Sequence, residues 1–568
     1  MGGREILPAF CRSTFTLQPK AVRLENATLD TYQFSGEELP KTPGSPYTPR
    51  HPLGRRIAYA VVGCIIGACS TFPNALTSTN VGTIAGSLGL YVAEATWLPA
   101  LYYAMNAGAN LTLVKARTQF GIPAVTLTLL GAYALSASTQ LAFPSFGTAV
   151  LVRIVNGITA AGMVTLSAHY FLQVFPQKVR SLALMLGMSL PQLGIPLARL
   201  VPVELLSLSQ WRGLRLIELA VPLGIMTCIL VVPLPPNPRS KVFQNLDLLT
   251  IALAVPALIL GCEVLSLGRV LWWTDTPWIG GMLAGALVLG TIAALIETNR
   301  ARPLIRFEWI GSLDILRFAA IALLVRLALA EQTFGSVGLL SLGGLVNDQL
   351  HTLFLFVLAS MVAGVLAAAL TLSERNIPYQ VLSAALIVSA GAFIDSGATS
   401  LTRPPQLYLS QSLIGFGTTL FIGPAILYGF AKMLAKGTQY TVTLLVVFSI
   451  TQNVGALAGS ALAGSLQIIQ THAHASTLAN DLPISNPQIG NRIRINSASI
   501  SGAVPDPALR QEEGASLFGQ SLLEQANVLA FDDVNRFLSW LSFGTACFIA
   551  FQLLVGARRS QRREATVT

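Results

Sequence analysis

The sequence predicts an all-α integral membrane protein of about fourteen transmembrane helices. Three observations predict it: an unusually apolar composition, apolar runs of membrane-spanning length, and basic residues sorted between alternate loops. Of 568 residues, 53% are hydrophobic and only 11% charged, and the mean hydropathy is +0.62. Soluble domains carry roughly 25% charged residues. A soluble fold of this length leaves much of its surface wet, so it could not hide so much apolar area.

A helix needs about 20 apolar residues to cross a hydrocarbon core roughly 30 Å thick. Runs of that kind cover 57–79, 95–114, 122–138, 147–171, 181–200, 214–234 and 246–267. They continue over 278–296, 315–333, 350–372, 379–394, 407–430, 440–469 and 537–555. Backbone groups in lipid must bond within the segment, which makes these runs helices. They lack the polar–apolar alternation of a barrel strand.

Basic residues set the orientation. With the N-terminus cytoplasmic, the inner short loops hold Lys115, Arg117, Lys178, Arg180, Arg239, Lys241, Arg300, Arg302, Arg306, Arg375, Lys432 and Lys436. The C-terminal tail adds Arg558, Arg559, Arg562 and Arg563, whereas the outer short loops hold only Arg212, Arg269 and Arg403. Both termini are therefore expected in the cytoplasm. The same sorting accounts for the net charge of +10: the basic residues anchor the chain beside anionic lipid, and nucleic acid is not the expected partner.

Three polar pieces remain. Residues 1–56 are expected as a disordered cytoplasmic tail, Pro-rich over PKTPGSPYTPRHP. Residues 470–530 form a long outer loop, and 556–568 a basic cytoplasmic tail. His472 and His474 lack the clustered partners of a metal site. The six cysteines, Cys11, Cys64, Cys69, Cys228, Cys262 and Cys547, form no CxxC pair and read as packing residues. No nucleophile elbow or phosphate loop is visible. No metal, no cofactor and no enzymatic role are expected.

Four segments carry a family resemblance: Thr83–Gly89 with Glu94 to Trp97, RIVNGITAAG over Arg153–Gly162, FPQKVRSLALMLGM over Phe175–Met188, and QANVLAFDDV over Gln525–Val534. With Trp211-Arg212, they resemble the fourteen-span EmrB/QacA drug:H+ antiporters of the major facilitator superfamily. The resemblance covers the chain from about residue 57. It implies a 6+2+6 architecture: six-helix bundles over 57–234 and 315–555, two accessory helices over 246–296, and substrate held near the midplane between the bundles. It also implies the cell inner membrane, and efflux through a periplasmic adaptor and an outer-membrane channel. Departures are plain. Pro73 and Asn74 stand where the family has a span-one acid. VKARTQFG replaces most of the loop signature, and LGIPLARL replaces the glycines of the span-five antiporter motif.

Ionisable groups inside spans are costly and point to function. Arg153, in span four, is expected to hold an anion or a neighbouring carboxylate. Arg326 lies about 16 Å into span nine at 1.5 Å per residue, too deep to snorkel, so it should face the cavity or an acid. Glu331 follows about 140° around the same helix. Glu218 is a candidate proton carrier or a partner of Arg215 on its own face. Without a span-one acid, Glu218 and Glu331 are the two candidate proton carriers. Asp348 and His351 form a possible titrating pair, while Glu263 and Glu204 read as structural. Asn106, Asn156, Gln192 and Gln452 join Arg153 and Arg326 as candidate substrate contacts. The expected function is proton-coupled efflux of an amphipathic, anionic small molecule such as a carboxylated drug, fatty acid or siderophore-like metabolite. The alternatives are uptake symport and a non-transporting receptor on a degenerate fold.

Overall fold

The computed structural model describes residues 38–40, 42–176, 179–482 and 487–567, and among these there is no strand. The apolar runs form long helices: α1 Leu53–Thr79, α2 Trp97–Phe120, α3 Ile122–Ala142 and α4 Phe146–Leu172. Then come α5 Arg180–Arg199, α6 Val203–Val231, α7 Asn245–Val270 and α8 Pro277–Thr298. The second half holds α9 Leu313–Ala328, α10 His351–Leu370, α11 Ile377–Asp395, α12 Tyr408–Lys436, α13 Thr441–Asp481 and α14 Pro507–Val567.

Twelve of the described helices are long and apolar enough to cross a membrane. The two that the fourteen-span reading needs in addition are α2 and α9. Both have a physical reason to fall short. α2 carries Asn106, Asn110, Lys115 and Arg117. α9 stops after 16 residues and resumes through a π-helical turn, Glu331–Gly335, into a short helix, Ser336–Leu342. Such turns recur at functional sites.

Helices α1–α6 pack on one another, and so do α9–α14. The two sets meet where α2 packs on α13 and α5 on α12 and α10. Helix α7 lies along both α2 and α13, with α8 outside it. Small residues allow the close contacts: a Cβ on Gly157 of α4 would sit 2.7 Å from the Tyr102 carbonyl oxygen of α2. That is why RIVNGITAAG reads as a row of small residues after an arginine. Helix α5 is interrupted by a 3-10 turn at Leu190–Leu193, which includes Pro191, and α1 carries Pro73 within it.

Two parts of the chain differ from their expected form. Residues up to 37 of the expected tail lie outside the described residues, but its last part is held against the bundle. The Tyr47 amide donates to the Pro236 carbonyl at 3.0 Å, Gln173 donates to the Tyr47 carbonyl at 3.1 Å, and the His51 ring bonds the same Gln173 side chain at 3.0 Å. The stretch expected as an outer loop is largely helical. At 1.5 Å per residue α13 is about 60 Å long, twice the hydrocarbon thickness, so its end projects beyond a bilayer. A further helix, Pro487–Ser499, packs on the first part of α14, and His474 pairs with Asp533 across α13 and α14 at 2.8 Å.

Candidate functional site

A cavity of about 400 Å³ lies where the two helix sets meet. Its walls come from α1, α2, α4 and α5 on one side, α9, α10, α12 and α13 on the other, and α7 at the flank. It runs from Asn110 and Leu445 in the depth toward Thr79, Val81 and Thr96, near the face at which α1 ends. The opposite end is filled by Leu111, Leu304 and Val446, packed with Ile251 and Val442. Beside the mouth the sets are stitched together. Arg199 Nη1 donates to Asn347 Oδ1 at 3.2 Å, Asn347 Nδ2 donates back to the Arg199 carbonyl at 3.1 Å, and the Val203 amide donates to Asp348 at 2.9 Å. Asp348 also lies 3.4 Å from the His351 ring.

Three guanidinium groups line the cavity, those of Arg199, Arg269 and Arg326, and no aspartate or glutamate does. Each arginine is braced by its stem or by one nitrogen. Arg326 Nε donates to the Gln452 carbonyl at 3.1 Å. Arg199 lies over the Phe354 ring at 5.5 Å and Arg269 over the Phe334 ring at 4.9 Å. The Arg269 stem fills the space that a side chain at Gly464 would take. Fixed cations with no counter-carboxylate on the wall attract an anion. Guanidinium forks match carboxylate and phosphate geometry.

Neutral groups complete the wall. Asn453 Nδ2 donates to Asn106 Oδ1 at 2.9 Å, and Asn110 Nδ2 to Ser449 at 3.0 Å. Among the described residues both amide atoms of Gln452 lack a partner although buried, as does Asn74 Oδ1, and each of these residues faces the cavity. Orphaned buried polar atoms are rare and invite a ligand or water. Tyr102 and Tyr103, edge to face at 5.5 Å, and Phe448 and Phe334 give apolar faces.

The structure thus brings four of the sequence-predicted contacts to one wall: Arg326, Gln192, Asn106 and Gln452. It takes Arg153, Asn156, Glu218 and Glu331 off that wall. Arg153 Nη2 donates to Glu218 Oε1 in an ion pair whose side chains are each 2% exposed, and Thr77 Oγ1 donates to the same oxygen at 3.2 Å. This knot joins α4, α6 and α1 within one helix set. The partner of Glu218 is therefore Arg153, from another helix. Asn156 is buried beside Gly157, with its Nδ2 unpartnered. Glu331, fully buried on the π turn of α9, gathers Ser336, Gln411 and Asp395 behind the cavity wall.

Sequence reasoning passed over Arg199, Arg269 and Asp395 as site residues. In the sequence Arg269 counts with the outer loops, Arg199 falls in the outer half of its span without a role, and the expected span 379–394 stops one residue short of Asp395. A second charged cluster was also invisible in one dimension. Asp247 takes Lys115 at 2.7 Å and Arg300 at 2.8 Å, and Arg300 reaches Glu297 at 2.5 Å. This cluster fastens α7 and α8 to α2 with residues that read as topological anchors.

No family model matches the sequence, and no curated relative matches it. Solved structures do. PepTSo2, crystallised as a tetramer, is similar at 11% identity over 89% of this chain and 99% of its own, with a TM-score of 0.52. The proton:xylose symporter XylE of the major facilitator superfamily, bound to 6-bromo-6-deoxy-D-glucose, matches over 84% of this chain and 94% of its own at 13% identity and TM-score 0.46. The human organic anion transporter MFSD10 (TETRAN) matches over 87% and 100% at 15% identity and TM-score 0.44. With its twelve apolar helices and its likeness to PepTSo2, the chain has the major facilitator fold, that of an all-α integral membrane protein.

Proposed function

We propose that this chain is a secondary active transporter that exports an amphipathic organic anion in exchange for protons. One observation carries the substrate class: the cavity between the two helix sets presents Arg199, Arg269 and Arg326 among aromatic and amide groups, with no carboxylate on its wall. An anion bound there would satisfy the guanidinium forks, and its apolar body would lie on Tyr102, Phe334 and Phe448. In this reading α2 and α9 also cross the bilayer, giving fourteen spans with both termini in the cytoplasm. The sets α1–α6 and α9–α14 rock about the cavity, and α7 and α8 ride at the side. The chain is then a divergent EmrB/QacA-type carrier of the inner membrane. Its helical extension over 470–530 is the surface offered to a periplasmic adaptor, and through it to an outer-membrane channel.

The test is transport by purified protein in liposomes under pH gradients of either sign. The substrates are a fluorescent long-chain carboxylate, its neutral amide and a quaternary ammonium analogue of equal size. The carboxylate should move and the other two should not, and the flux should run against the imposed proton flow. Carboxylate moving with the protons would replace efflux by uptake symport. Binding of the carboxylate without flux under any gradient would replace transport by a receptor role. Preference for the cation would overturn the substrate class.

A further inference from the structure

We propose that Glu331 and Asp395 act as one proton-carrying unit, sharing a single exchangeable proton through Ser336 and Gln411. This inference deepens the proton-coupled reading above and rests on it. Glu331 stands on the π turn of α9 and Asp395 at the last position of α11, and both are fully buried. The two carboxylates share their partners. Gln411 Nε2 of α12 lies 3.0 and 3.1 Å from the two oxygens of Glu331 and 2.6 Å from Asp395 Oδ2. Ser336 Oγ lies 2.9 Å from Asp395 Oδ2 and is bonded to Glu331 Oε1 as well.

Counting hydrogens decides the protonation. A serine hydroxyl has one hydrogen and a primary amide two, while an ionised carboxylate only accepts. Ser336 can donate to only one of the two carboxylates. Its second contact is a hydrogen bond only when the other carboxyl carries a proton and donates to Ser336 Oγ. Charge leads to the same state. Two carboxylates buried side by side do not both ionise without a counter-cation, and neither enters any ion pair among the described residues.

The surroundings leave the proton to the pair. α11 and α12 present only neutral groups at this level, Gln411 and Ser410 among them, and α13 has no lysine or arginine, its titratable residues His472, His474 and Asp481 lying toward its far end. α14 contributes the Asn535 amide, which donates to the Asp395 carbonyl at 3.3 Å, then Asp532, and the Asp533–Arg536 pair at 3.7 Å. Arg269 of α7 is engaged with the Phe334 ring, and Arg326 of α9 with the Gln452 carbonyl. Arg403, ahead of α12, donates to the carbonyls of Ser400 and Thr402.

The unit is also wired to the substrate wall. Ala330, Gln332 and Thr333 line the cavity on either side of Glu331, and Gln332 Nε2 donates to the Gln411 carbonyl at 3.4 Å. An anion seated against Arg326 and Gln332 therefore bears on the turn that holds the proton. The exchange itself is only a proton leaving one carboxyl oxygen for water and being replaced from the other side, and no other bond changes.

Liposomes carrying wild type, Glu331→Gln, Asp395→Asn or the double variant decide the matter, with binding of the fluorescent carboxylate measured in parallel. Each single variant should lose gradient-driven flux at least tenfold while keeping carboxylate binding and gradient-free exchange of labelled for unlabelled substrate. The double variant should behave as the singles do. The infrared difference spectrum of wild type minus double variant should show one protonated-carboxyl stretch, which either single substitution removes or shifts; the buried carboxyl of Glu263, common to all variants, cancels in the difference. Retained gradient-driven flux in both singles would overturn the proposal, as would a difference spectrum without a protonated-carboxyl band. If the wild type moves no anion under any gradient, the transport reading fails, and the infrared band still reports on the shared proton.

Discussion

Arg153 of α4 and Glu218 of α6 form an ion pair inside one helix set, with Thr77 of α1 bonded to the same carboxylate oxygen. The position makes the pair a pin within one helix set rather than a contact of the cavity between the two. Buried pairs are costly to break one-sidedly, because the survivor keeps its charge without a partner. Removing one member costs about 3–5 kcal/mol, while replacing both by apolar residues is often near neutral. Arg153→Met and Glu218→Gln should each lower the melting temperature in detergent strongly, and Arg153→Met combined with Glu218→Met should recover much of the loss. A Glu218→Gln protein of unchanged stability that has lost proton coupling would return Glu218 to the role of proton carrier.

The three cavity arginines should share the anion. A hydrogen bond to a charged group contributes about 1.5–3 kcal/mol, and 1.4 kcal/mol is a factor of ten. Arg326→Gln, Arg269→Gln and Arg199→Gln should each weaken carboxylate binding about tenfold or more, with little change in binding of the neutral amide. Arg199→Gln should also loosen the stitch to Asn347, and so raise the exchange rate at the mouth. Fluorescence titration of the purified variants checks the first expectation. Equal loss for acid and amide would show that the arginines shape the cavity without reading charge.

Much of this architecture was legible because lipid imposes a strong rule on the chain: apolar runs of fixed length with basic residues on one side. Arg326, Gln192, Asn106 and Gln452 were readable for the same reason, as polar groups have few places to go inside such helices. What escaped was pairing. Arg153 and Glu218 lie 65 positions apart, and Glu331 meets Asp395 only through a π turn that no periodicity announces. Helix signals were also least regular where the cavity is lined: α2 carries amides and two basic residues, and α9, which brings Arg326 to the wall, stops after 16 residues.

His51 ties the approach to α1 to the bundle through Gln173 at 3.0 Å. Burial pushes its ring below the usual 6.5, against the Gln173 hydrogen bond and with help from the charges of Arg55 and Arg56. In the packed state the ring therefore stays neutral where a free histidine would protonate. The sign follows from linkage. This contact is at full strength above about pH 6.5 and weakens as the pH falls below it, because only the detached state gains the proton there. Hydrogen exchange at residues 45–51 should quicken between neutral and acid pH, and His51→Gln should flatten that dependence. Faster exchange at alkaline pH, after correction for the intrinsic rate, would contradict the assignment.

Gly464 of α13 offers a way to disturb Arg269 without touching it. A methyl group at Gly464 would collide with Cδ of Arg269 and crowd its Nη1 and Nε. The obstructing atoms belong to a flexible side chain, so the fold can yield by swinging the arginine off the Phe334 ring. Gly464→Ala should therefore cost little stability, within about 1 kcal/mol of the ordinary surface range, since alanine also favours the helix over glycine by roughly 1 kcal/mol. Anion binding should fall nonetheless, toward the level of Arg269→Gln. The two substitutions combined should be no worse than either alone, because both act through the same guanidinium. Additive losses in carboxylate affinity would mean that Gly464 matters for the close packing of α7 on α13, and that Arg269 reads the anion from some other position.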